Sequence, residues 1–226
     1  MSTLYLVATP IGNMEDITLR AIRILGEVDV VLAEDTRVTG GLLKRHGIEA
    51  KMKSYHQRSK DSATQEIIDL LEEGKNLALV TDAGTPGVAD PGNELIQKIL
   101  EALPDTRIEP IPGASSLTSA LSVCGFPTNE FVFLGFLPHK KGRMTLLNEI
   151  AEIERTVVLF ESPHRIRKLM NELAERMPER KCAIFREITK LHESSYRGTV
   201  ATLASAELDE RGEYVVVLAH ERKKKN

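Results

Sequence analysis

Residues 77–92 read LALVTDAGTPGVADPG. The apolar run Leu77–Val80 has the character of a strand buried on both faces of a parallel sheet. It leads into a loop that carries Gly84, Gly87 and Gly92, with Pro86 and Pro91 among them. Glycine lets backbone turn sharply and approach a ligand closely, leaving N–H and C=O groups as partners. Asp90-Pro91 then offers an N-cap and a proline at the first position of a helix over 92–102. Strand, bent loop and helix make one βα unit.

The same unit recurs on both sides. Upstream, Leu4–Ala8 is a strand, Thr18–Leu25 a helix and Val28–Ala33 a second strand. The following helix ends in Lys44-Arg45-His46-Gly47, cations facing its dipole and glycine just beyond. Ser62-x-x-Gln65 reads as a capping box for a helix that closes before Gly74. Downstream, Ile108–Ile111 is a strand, and Pro112-Gly113 turns into a helix through Leu121. Turn formers at 125–129 break the pattern. Beyond them strands are expected at Phe131–Phe136, Thr156–Phe160, Cys182–Arg186 and Tyr214–Ala219, with a helix opening at Ser162-Pro163. The reading is two α/β domains, 1–124 and 125–226, a parallel-rich sheet in the first and a mixed sheet in the second.

Composition sets the outer limits. The 226 residues are 42% hydrophobic and 28% charged, enough for two small cores and a polar surface. No stretch approaches the roughly 20 apolar residues that span a bilayer, and the start lacks a basic n-region, so no signal peptide is expected. Cys124 and Cys182 have no metal-ligand spacing, and the six histidines show no i, i+4 pair, so no metal site is suggested and a reducing cytoplasm fits. The net charge of −3 gives no global pull towards nucleic acid. Basic residues nevertheless gather at 139–143, 164–168 and 222–225, where they could neutralise phosphates.

Ligands of open α/β sheets bind beyond the carboxyl ends of the strands. Four segments reach that position in the first domain: 8–13, 33–37, 81–87 and 112–116. There is no G-x-x-x-x-G-K-[ST] and no G-x-G-x-x-G after the first strand, which removes a P-loop and weakens a dinucleotide reading. Asp35 suits an N-cap for a helix from Thr36, whereas Glu34 has no such structural use and ranks ahead as a polar site residue. Arg37 either holds a phosphate or pairs with Glu34. His56, with a pKa near neutrality, is a further candidate base. In the second domain Arg165, Arg186 and Lys190 are candidates to contact phosphate or stabilise an alkoxide, with ion pairs to Glu161, Glu187 and Glu193 as their competing use.

Nine blocks in order make these segments specific: LYLVATPIGNMEDITLRA, AEDTR, LVTDAGTPGVADPG, PGASS, GFLP, FESPHR, REITKLHE, RGTV and GEYVVVLA. From Leu4 to about His220 the chain resembles the ribosomal small-subunit (16S) RNA cytidine-2′-O-methyltransferases of the tetrapyrrole (corrin/porphyrin) methylase fold. The resemblance implies S-adenosyl-L-methionine (SAM) in a cleft between the two domains, a 16S rRNA or small-subunit substrate, and a homodimer. It carries cofactor contacts onto Ile11, Asp82, Ala83, Thr85, Ser116, Leu117, Glu161, Ser162 and Glu213. Substrate contacts fall to Arg37, Arg165 and Arg186, and proton management or charge stabilisation to Glu34, His56 and Lys190. Members of that family extend further as a small helical C-terminal region, whereas this chain stops at Asn226 after RKKK, which bears on RNA affinity more than on SAM binding. Two alternatives share the residues: a tetrapyrrole C-methyltransferase of the same fold, and a SAM- or RNA-binding protein without catalysis.

Overall fold

Side chains alternate faces along a strand, and in the first half of the chain both faces are apolar. In the computed structural model, which describes residues 2–56, 61–90 and 92–221, that half alternates strand and helix. The order is β1 (Thr3–Val7), α1 (Leu19–Glu27), β2 (Val30–Ala33), α2 (Thr36–Arg45), β3 (Met52–Ser54), α3 (Asp61–Glu72), β4 (Leu77–Val80), α4 (Asn93–Ala102) and β5 (Arg107–Ile111). The strands form one all-parallel sheet in the order β3-β2-β4-β1-β5. Leu4, Leu32, Leu77 and Leu79 face Ile67 and Leu71 of α3 and Leu95 and Ile99 of α4. Val7, Val31, Ala78 and Val80 face Ala21, Ile24 and Leu25 of α1 and Leu43 of α2.

The second half holds α5 (Ser116–Val123), β6 (Phe131–Phe136), α6 (Arg143–Glu152), β7 (Thr156–Glu161), α7 (Ile166–Ala174), β8 (Lys181–Arg186), β9 (Ser194–Thr199), α8 (Val200–Ala204) and β10 (Tyr214–Leu218). Its sheet is mixed, in the order β6-β7-β10-β8-β9: β6 and β7 run parallel and the other pairs antiparallel. One face packs against α6, α7 and α8 through Leu147, Ile150, Leu169, Leu173 and Leu203. The other packs against α5 through Ala120 and Leu121. The chain separates into the units Met1–Ser115 and Ser116–Asn226, so α5 goes with the second, ahead of the turn formers that suggest the linker. Inside the second unit Arg180 is buried and donates to three carbonyls, Ala219 at 2.9 Å, Ile150 at 3.1 Å and Arg155 at 2.9 Å. These bonds satisfy a guanidinium that burial would otherwise penalise.

Helix starts hold the corrections. Thr18 and Asp35 cap α1 and α2 as their side chains allow, accepting from Ala21 N and Arg37 N. The Ser62/Gln65 capping box does not form. Helix α3 begins at Asp61, and Gln65 Nε2 donates forward to Asp69 Oδ1 at 2.8 Å, an i, i+4 pair that a helical Ser62 leaves open. Helix α4 starts at Asn93 with Gly92 as its N-cap rather than at Asp90-Pro91; Pro91 lies outside the described residues. Gly92 has φ of +148°, and a Cβ there would come within 3.3 Å of Leu79 Cδ2, so only glycine seats this turn against β4. Helix α7 starts at Ile166, because Ser162 O first closes a turn by accepting from Arg165 N and Ile166 N, both at 3.1 Å. Strand β9, SSYRGT, carries no apolar run and was not foreseen; it is an edge strand recruited by β8.

Candidate functional site

After β1 the chain turns to the helices on one face of the first sheet; after β4, its neighbour, it turns to those on the other. The loops that leave β1 and β4 therefore diverge at a topological switch point, where open sheets hold ligands. A pair of backbone bonds spans its floor: Thr9 N donates to Gly84 O at 2.9 Å, and Gly84 N to Thr9 O at 3.1 Å. Thr9 Oγ1 adds a bond to Thr81 O at 3.1 Å. Gly84 holds φ of +85°, which a residue with a Cβ adopts only under strain.

The flanking loops are tied in the same way. Asp35 N donates to Asp82 Oδ1 at 3.1 Å, and Asp82 N to Glu34 Oε2 at 3.4 Å, joining the ends of β2 and β4. Thr85 Oγ1 donates to Ala114 O at 3.4 Å, joining the loops after β4 and β5. Gly113 sits so close to Ala8 that a Cβ would stand 3.0 Å from Ala8 Cβ. The result is a rim of peptide groups and short polar side chains, with Ile11 buried beside Gly84 and Asp82 and Ala83 exposed.

Among the described residues, charge on this rim is negative: Glu34, Asp35 and Asp82 stand together against one guanidinium, that of Arg37. Arg37 pairs with Asp35 at 2.6 Å and not with Glu34, because the capping carboxylate already lies beside its own N–H. The side-chain bond from Arg37 holds the Asp35 carboxyl down at about 2. Such a rim favours a cationic ligand and disfavours phosphates. His56 is exposed after the edge strand β3, with β2 between it and β4, so it is not gathered at the switch point.

The residues expected from the second unit meet at one end of its sheet. Tyr214 lies opposite both Glu161 and Arg186, which brings the ends of β7 and β8 to the start of β10. Glu161 is fully buried. Its Oε1 accepts from Arg165 Nη2 at 2.6 Å and from Ser162 N at 2.7 Å, and its Oε2 faces Arg143 Nη2 at 3.8 Å. Arg143, also buried, bonds Glu172 at 2.7 Å and Pro138 O at 3.1 Å, and Arg165 reaches Leu137 O at 3.2 Å. Arg186 is spent on Arg211 O, His192 O and Asp209. The donors of Arg165 and Arg186 thus serve carbonyls and carboxylates of this chain. Arg143, which the sequence groups with the basic cluster at 139–143, is instead buried and spent on partners 5 to 29 positions away.

Lys190 Nζ sits 2.9 Å from Glu187 Oε1 and 2.9 Å from Glu213 Oε2. Burial opposes its charge, but the two carboxylates outweigh burial and lift its pKa above the usual lysine value. Lys190 is therefore an ammonium at neutral pH and has no lone pair with which to take a proton. Glu187 and Thr189 both hold left-handed φ, +53° and +70°, and Gly212 is needed beside them because any side chain would collide with Glu187. Ser116 and Leu117 open α5. A hollow of about 840 Å³ lined by Glu130, Asn148, Glu152 and His220 lies at the other end of this sheet, where β6 starts and β10 stops, away from every residue singled out. Among the described residues no group of three or more His, Cys, Asp or Glu could hold a metal ion, and no helix is long and apolar enough to cross a membrane.

Residues 3–204 match the family model of Tetrapyrrole (Corrin/Porphyrin) Methylases. A ribosomal RNA small subunit methyltransferase I from Synechocystis is 45% identical over 97% of this chain and 79% of its own length. Its counterpart from Thermotoga maritima is 42% identical over 97% and 99%. Among solved structures, uroporphyrin-III-C-methyltransferase from Thermus thermophilus superposes with a TM-score of 0.64 at 25% identity, over 97% of this chain and 95% of that one. Diphthine synthase, at 0.74 and 16% identity over 96% and 90%, shares the fold. With its parallel sheet, its mixed sheet and this matched sequence, the chain belongs to the tetrapyrrole methylase family, among the ribosomal RNA small subunit methyltransferases I.

Proposed function

We propose that the chain transfers the methyl group of SAM to the ribose 2′-OH of a cytidine in 16S rRNA, in the cytoplasm and as a homodimer. The observation that carries this reading is the 42–45% identity to proteins named for small-subunit rRNA methylation, over 97% of the chain. The tetrapyrrole alternative has its support in the weaker likeness to uroporphyrin-III-C-methyltransferase.

The negative rim of the first unit fits a sulfonium. Its carboxylates complement positive charge, and Gly84 brings bare backbone to the rim. Ile11, Asp82, Ala83 and Thr85 would hold the cofactor there; Ser116, Leu117, Glu161, Ser162 and Glu213 are the second unit's proposed contributors. Glu161 would contribute backbone, since its carboxylate is buried among arginines. When bound, SAM supplies a methyl already activated by the positive sulfur. What remains for the chain is to orient the acceptor oxygen and to manage its proton.

Glu34 is the first candidate for that proton: one carboxylate oxygen is anchored by Asp82 N–H, which fixes the group at the rim. Lys190, held as an ammonium, suits stabilisation of a developing alkoxide. The test is methyl transfer from labelled SAM to small ribosomal subunits lacking the modification, followed by nuclease mapping. Label on a cytidine ribose is expected; label on a base, or on a corrin precursor alone, overturns the reading. Calorimetry is expected to show loss of SAM binding in Asp82→Lys, and unchanged binding would move the cofactor off this rim.

A further inference from the structure

Basic residues of the second unit fall into two classes by what their donors do. Arg143, Arg165 and Arg186 are committed to carbonyls and carboxylates of the chain. Lys140, Lys141 and His164 are exposed, and their side chains bond none of the described residues. All three sit on the loops that leave β6 and β7. Those strands pair in parallel with Phe136 opposite Phe160, so the loops begin about 5 Å apart, and Arg165 ties them through Leu137 O.

Two further observations converge there. The helices those loops feed, α6 and α7, both start without a side-chain cap, at Gly142 and Arg165. Loop carbonyls accept from their first N–H groups, Lys140 O from Arg143 N at 3.2 Å and Ser162 O from Ile166 N at 3.1 Å, and the positive ends of their dipoles face the same loops. Phe136, the last residue of β6, is 55% exposed, and its ring is held edge-to-face by Phe160 at 5.6 Å between centroids. A fixed, half-bare ring among uncommitted lysine and histidine donors is the arrangement that stacks a base and tracks a phosphate chain. A lipid surface is met instead by a broad apolar face, and here the neighbouring Met144 is drawn into contact with Arg176.

We propose that this end of the second sheet grips single-stranded RNA, with Lys140, Lys141 and His164 on phosphates and Phe136 under a base. The buried Glu161–Arg143–Arg165 cluster acts as the brace that presents the two loops. The inference rests on the ribosomal RNA substrate proposed above and names where that RNA is held. The test uses the full chain and a labelled single-stranded RNA oligonucleotide, read by fluorescence anisotropy across a salt titration. The double variant Lys140→Glu/Lys141→Glu should weaken binding about tenfold or more and flatten the salt slope by about one to two. Phe136→Ala should weaken it about tenfold with the slope unchanged, and Phe136→Tyr should restore it.

The thermal midpoint of the lysine variant is expected to match the parent, that of Phe136→Ala to fall slightly with loss of the Phe160 contact and to return in Phe136→Tyr, and SAM calorimetry to match in all three. Unchanged RNA affinity in both the charge and the ring variants overturns the proposal. So does loss of binding to phosphatidylglycerol vesicles with RNA binding intact. A parent chain that fails to methylate small subunits sinks the function; a parent that methylates them, with Lys140→Glu/Lys141→Glu equally active and equally tight on RNA, sinks this interface alone.

Discussion

The two sheet ends solve the same problem with different materials. At the first, the loops after β1 and β4 are joined by peptide groups alone, at Thr9–Gly84, and those after β2 and β5 by a peptide group meeting one short polar side chain, at Asp35–Asp82 and Thr85–Ala114. At the second, long charged side chains make the joints: Arg143, Glu161 and Arg165 between the loops after β6 and β7, and Arg186 between the loop after β8 and the one before β10. A peptide joint leaves side chains at liberty to meet a ligand. A charged joint consumes them, and each member becomes indispensable to the others, because a buried charge that loses its partner is costly. The side chains of Ile11 and Ala83 take no part in the joints at the first end, whereas those of Arg165 and Arg186 are the joints at the second.

The sharpest test of that contrast is Glu161→Ala. It takes from Arg165 its carboxylate partner, while Arg143 keeps Glu172 and Pro138 O, and should cost about 3 kcal/mol in urea unfolding; a loss below about 1 kcal/mol would mean the cluster is not a joint. Gly84→Val attacks the first end where it is most exacting. A β-branched residue at φ of +85° costs about 1–3 kcal/mol, and SAM affinity should fall with it; a variant as stable and as tight as the parent would break the peptide-joint account. Lys190→Met comes next. With a side chain 30% exposed, Lys190 should contribute about 1 kcal/mol or less, diminishing with salt.

The pH dependence of that pair has a definite sign. Glu187 is pulled below its ordinary value of 4.5 by Lys190 and the Glu213 N–H, against the opposing effect of burial. Its contribution is present above pH 4.5 and lost as pH falls through the folded value. Lys190 is raised above 10.5, so its contribution is present below that and lost as pH rises further. Unfolding midpoints of parent and Lys190→Met should thus differ between about pH 5 and 10 and converge outside that window. The smallest effect is expected for Arg37→Ala. Its side chain is 89% exposed, and the thermal midpoint should not move measurably. A clear drop there would blur the distinction between the two ends.

Legibility in the sequence followed the range of the interactions. Strands β1, β2, β4, β7, β8 and β10 announced themselves because each is a continuous apolar run buried on both faces. The bent loop at 81–87 was readable because glycine and proline encode turn geometry locally. Edge strands β3 and β9 were silent, MKS and SSYRGT having no apolar signature; neighbours recruit them. Helix starts misled where a glycine or a preceding turn claimed the chain before the side-chain cap did, as at Gly92 and Ser162. The clustering of Glu34, Asp35 and Asp82 follows from adjacent parallel strands ending together. The partners of Arg143 and Arg186 do not follow from anything within reach along the chain.

The twin bond between Thr9 and Gly84 has a last implication. Its donors and acceptors are backbone groups that every residue but proline owns, so replacement of side chains around it does not unfasten it; position 84 is choosy about backbone conformation as well. The side chains of Ile11 and Ala83 can therefore be exchanged while the gauge between the two loops stays fixed. The socket is inherited and its upholstery is free to change.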